Sequence, residues 1–108
     1  MATFKDYLSA LEKGAAKLAK DQLGGFEADA IEDMRAFLEK TDADLRRWTA
    51  LLSSRKLTKR DFGDLLKARE ALAELHSLTR SGLALVKLDE FRTGLINLVI
   101  DTAVKVYL

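Results

Sequence analysis

The sequence predicts an all-α fold, an antiparallel bundle of about four amphipathic helices. Three observations predict it: proline is absent from the 108 residues, the only adjacent glycines are Gly24 and Gly25, and apolar residues recur at steps of three and four along most of the chain. Without proline or glycine clusters, the punctuation of a strand-and-turn fold is missing. The three-four period is the mark of helices that bury one face.

Thr3, with Asp6 three residues on, reads as a capping pair, and Phe4, Leu8, Leu11, Ala15 and Leu18 then form the apolar stripe of a helix over 4–23. It ends at Gly24-Gly25, because glycine takes the left-handed conformation that closes a helix without steric cost. Ile31, Met34, Leu38, Leu45, Trp48 and Leu52 carry a second stripe across Thr41-Asp42 without a change of phase, which predicts one helix over 27–54. Its acids Glu27, Asp29, Glu32 and Asp33 gather at the start as a solvated face, and Arg55-Lys56 follow its end, the order the helix dipole favours.

Thr58 with Asp61 opens a third helix, 59–86, with Leu65, Ala68, Leu72, Leu75, Thr79, Leu83 and Val86 on one face. A fourth spans 88–107. Ser81-Gly82 can close the third helix, or Asp89 can cap the fourth. A connection is required somewhere in 80–90, since an unbroken helix over 59–107 would be about 70 Å long, too long for a domain of this size.

A content of 48% hydrophobic and 32% charged residues predicts one globular domain over 1–108 and excludes a disordered chain. The charge-free run 93–100 is far shorter than the ~20 residues that cross a bilayer as a helix. Lys5, Asp6, Glu12 and Lys13 interrupt every apolar stretch at the amino terminus, so no secretory signal is expected and the cytoplasm is the default location. With no cysteine, disulfides and thiolate metal sites are excluded.

The fourth helix is apolar around most of its circumference, which a four-helix bundle does not bury. Homo-oligomerisation is the favoured solution, central placement in an irregular bundle the alternative. The candidate self-association residues are Trp48, Leu52, Leu95, Ile96, Val99, Ile100, Val104 and Tyr107. Charge agrees: 27–44 holds seven acids and two bases, whereas 45–60 holds six bases and no acid, so two copies of helix 2 packed antiparallel would match acid to base.

Chemistry is thin by comparison. The one histidine, His76, has Ala73 three residues before it rather than the glutamate of a di-iron bundle, and it reads as a semi-buried structural residue. Ser77 and Thr79 are near it but point elsewhere on a helix, and Gly24-Gly25-Phe26-Glu27 lacks the lysine of a phosphate-binding loop. No catalytic, cofactor or metal residue is expected. The sequence therefore predicts a non-enzymatic interaction protein that self-associates, most simply as a dimer, and presents helical faces to a protein partner. The alternative is binding of nucleic acid or an anionic membrane or granule surface through Arg46, Arg47, Arg55, Lys56, Lys59 and Arg60.

Overall fold

The structure, a computed structural model, describes residues 3–108. All regular structure among them is helical: α1 (Phe4–Gln22), α2 (Glu27–Ser53), α3 (Lys59–Lys67), a single 3₁₀ turn (Glu70–Leu72), α4 (His76–Arg80) and α5 (Leu85–Tyr107).

The ends of α1 and α2 follow local chemistry. The Thr3 hydroxyl accepts from the Asp6 amide at 3.2 Å while the Asp6 carboxylate accepts from the Thr3 amide at 2.9 Å, a reciprocal capping box. Those bonds, the backbone one first, hold the Asp6 carboxyl below its ordinary value. After α1 the Phe26 amide donates to the Leu23 carbonyl and Gly25 sits at φ +93°, so the glycine pair turns the chain as expected. At the end of α2, Lys56 and Arg55 donate back to the carbonyls of Leu51 and Leu52 at 2.9 and 3.1 Å, which puts Arg55 at φ 63°. A glycine takes that left-handed position freely, whereas a side chain there costs roughly 1 kcal/mol.

α2 is one piece of 27 residues, about 40 Å, and accounts for the 42 Å long axis of the molecule. Polar Thr41 does not interrupt it, because the buried hydroxyl donates to the Phe37 carbonyl one turn back at 2.9 Å.

The third helix departs from expectation. In place of 59–86 the chain forms α3, the 3₁₀ turn and α4, with Leu75 left-handed at φ 54°. This breaks the predicted face and lets Leu66, Ala73, Leu75 and Leu78 all reach the core. Contacts far along the chain hold the break open. Arg92 of α5 donates to the Ala73 carbonyl at 2.9 Å. Asp33 of α2, only 6% exposed, accepts from the Ser77 and Leu78 amides at 2.9 and 2.8 Å and so caps α4. Gly82 at φ +86° closes α4, and α5 begins at Leu85 rather than at 88.

α5 is the helix the others surround: it packs along α1 and also against α3 and α2. Gly14 of α1 admits Leu98, whose Cδ1 lies 2.7 Å from where a Cβ would stand, and Gly94 admits Leu18 at 3.3 Å. The radius of gyration, 13.5 Å, is close to the ~13 Å expected for a compact chain of this length. Among the described residues no buried side-chain donor or acceptor lacks a partner; the Tyr7 hydroxyl, for instance, donates to the Val99 carbonyl at 2.9 Å.

Candidate functional site

Of the residues expected at a self-association surface, six lie in the chain's own core: Trp48, Leu52, Leu95, Ile96, Val99 and Ile100 are all less than 10% exposed. Val104 and Tyr107 are half-buried, and the Tyr107 ring packs edge-on against Tyr7 at 5.6 Å. The apolar circumference of α5 is thus covered by α1, α2 and α3, the alternative of central placement. A second copy is not needed to bury that core face; the large apolar side chains left exposed among the described residues are Leu85 and Val86 at the start of α5 and Leu108 after its end.

This exposed apolar surface is small. Leu85 and Val86 are 72% and 68% exposed, side by side on the first turn of α5. Leu85 stands three residues before buried Leu88, and the steps continue through Arg92 to Ile96, Val99 and Ala103, so it lies on the core-facing side of its helix and is nevertheless left open. No side chain caps the amides of this turn. The sequence does signal one of the pair, since the apolar face predicted for helix 3 includes Val86; only the break at 81–84 shows that these residues start a new helix.

The basic segment divides in two. Arg46 pairs with Asp42 at 2.9 Å and lies 4.4 Å over the Phe4 ring. Arg47 pairs with Asp44 at 3.0 Å, and Asp44 also holds Arg69, a cation outside the segment, at 3.0 Å. Trp48 is 4% exposed with Arg69 5.7 Å from its ring, so it offers no stacking face. Arg55, Lys56, Lys59 and Arg60 are exposed and make no ion pair among the described residues. Lys59 and Arg60 occupy the first turn of α3, where the helix dipole is positive, with Asp61 the one acid there. Four unpaired cations therefore stand at the α2–α3 corner against one acid, Asp61.

The acids at the start of α2 are not a free solvated face. Besides the Asp33 cap, the Ser77 hydroxyl donates to Asp29 at 2.7 Å and to Glu32 at 3.1 Å, and Ser81 donates to Asp29 at 2.6 Å. The two serine bonds, that of Ser81 first, lower the Asp29 carboxyl from its usual value. His76 is exposed rather than semi-buried: its side chain is 72% accessible and its Nε2 lies 2.6 Å from Glu74, which Lys40 also binds. The Lys40 ammonium, and then His76, holds the Glu74 carboxyl low. These residues border a cleft of about 220 Å³. Ser77 is tied to carboxylates and makes no bond to His76, so nucleophile and base are uncoupled. Among the described residues no group of three or more histidine, aspartate or glutamate side chains is placed to hold a metal, and no helix is long and apolar enough to cross a membrane.

No protein-family model matches this chain, and no match to it was found among curated proteins or solved structures.

Proposed function

We propose that the chain is a non-enzymatic interaction protein, an adaptor or a regulatory or structural subunit, which pairs with a second copy through the first turn of α5 and offers its remaining helical faces to a protein partner. One observation carries this reading: Leu85, 72% exposed, continues the core face of α5 past the end of the core, with Val86 beside it. An apolar stripe that outruns its own core is stabilised when another surface covers it. A two-fold axis at this turn would set Leu85 and Val86 of one protomer on those of its partner. In this reading the bundle is antiparallel. The reciprocal contacts of Gly14 with Leu98 and of Leu18 with Gly94 support that for α1 and α5, and a cysteine-free chain suits a reducing cytoplasm.

The double variant Leu85→Glu, Val86→Glu tests it. Light scattering in the micromolar range should give two chains for the wild type and one for the variant, with the same far-UV circular dichroism. A wild type that stays at the mass of one chain throughout that range contradicts the reading.

A second reading rests on the unpaired cations of the α2–α3 corner: contact with a polyanion, nucleic acid or an anionic surface, through Arg55, Lys56, Lys59 and Arg60. Arg46 and Arg47 contribute less, being already paired. Affinity for duplex DNA should then fall steeply with salt, and Arg55→Glu with Arg60→Glu should lower the slope of log K against log salt by about 2, roughly 0.9 for each phosphate no longer neutralised. An unchanged slope removes this reading.

A further inference from the structure

A groove of about 590 Å³ runs between α1 and α5, floored by Gly14, Leu98 and Val106 and rimmed by Lys13 and Lys17 on one side and Lys105 on the other. No carboxylate lines it. The three lysines are exposed and, like the cations of the α2–α3 corner, make no ion pair among the described residues; what sets them apart is that they flank an apolar floor on both sides. From this juxtaposition we infer that the groove is a docking site for an amphipathic helix of a partner protein, one whose apolar stripe is flanked on both sides by aspartate or glutamate. The site is separate from the pairing turn: Leu98, the groove residue of α5 nearest Leu85, lies thirteen positions along the helix from it, about 20 Å.

The placement of charge selects the occupant. Lys13 and Lys17 are one turn apart on α1, the spacing at which acids four residues apart on a facing helix present themselves. Lys105 stands across the groove, so the second flank of that helix meets a cation as well. An acyl chain with one anionic head would fill the apolar floor but neutralise one end only. Leu98, seated in the space that Gly14 leaves, and Val106 supply the apolar floor on which the stripe would rest. The sequence hides this site, since α1 carries four bases and three acids and α5 three of each, so neither helix stands out by charge.

The test uses three fluorescein-labelled peptides of one length: a leucine-striped helix flanked by glutamates, a scrambled peptide of the same composition, and the striped helix flanked by lysines. Anisotropy with the full chain should show binding of the first and at least tenfold weaker binding of the others. Lys13→Glu with Lys17→Glu and Lys105→Glu should weaken the first about tenfold, three exposed ion pairs being worth together about one decade in affinity. Lys→Gln at the same positions should give a smaller loss with unchanged circular dichroism, a readout that stands should the reversals perturb folding. Leu85→Glu should leave binding as it is, so failure of the pairing turn and failure of the groove are separable. Equal binding of the scrambled peptide, indifference to the lysine variants, or no binding at submillimolar protein overturns the inference. Tighter and equally lysine-dependent binding of anionic vesicles also overturns it, in favour of a lipid surface.

Discussion

Replacing Asp33 by alanine is expected to cost about 3 kcal/mol of stability and to lower the melting temperature by about 13 °C, although a charge at the start of a long helix is ordinarily dispensable. The carboxylate is buried and its two oxygens serve different amides, those of Ser77 and Leu78, the two buried residues of α4. Removing it leaves both donors away from water, at about 1–3 kcal/mol each, and uncaps a helix of only five residues. Asp33→Asn keeps one acceptor and should cost about half as much. Glu32→Ala should stay below about 1 kcal/mol, since Glu32 shares the Ser77 hydroxyl with Asp29. Urea unfolding followed by circular dichroism gives all three values. A cost below about 1 kcal/mol for Asp33→Ala would mean that α4 is not held by this cap.

The second large effect is expected at Leu95, fully buried on α5. Leu95→Ala should destabilise the fold by about 3 kcal/mol through lost transfer energy and the cavity left behind, with the same midpoint shift at low and high protein concentration. Leu85→Ala should change the stability of the isolated chain by less than about 0.5 kcal/mol. Denaturation curves at protein concentrations a hundredfold apart separate core from interface. A Leu95→Ala loss that shrinks on dilution would place this residue at a contact between copies.

Where the determinants of structure are local, the sequence is legible. Thr3 and Asp6 cap α1 with each other, Gly25 turns its end, and the stripe from Met34 to Leu52 keeps phase across Thr41 because that hydroxyl bonds one turn back. Where they are distant, it is not. The break at 68–75 has no proline or glycine, and its cap is Asp33, 44 residues before Ser77. Periodicity alone therefore reads α3 and α4 as one helix and Asp33 as solvent-facing. The circumference of α5 shows that the helix must be covered but not by what; three elements of the same chain do it, where a second copy was expected. Within the basic segment, Arg46 and Arg47 are paired by acids four and three residues away, which spacing could have indicated. That Arg55, Lys56, Lys59 and Arg60 stay unpaired depends on which acids the fold brings near, and no spacing reveals it.

Amide hydrogen exchange measured at two protein concentrations tests the account most directly, because it reads both stretches of α5 in one experiment. The amides of residues 95–103 should be strongly and equally protected at both concentrations, as core of the single chain. Those of Leu85, Val86 and Lys87, which no side chain caps, should exchange fast when dilute and gain protection when concentrated, as pairing covers the turn. Protection of 95–103 that rises with concentration, or a first turn that exchanges equally fast at both, would contradict it.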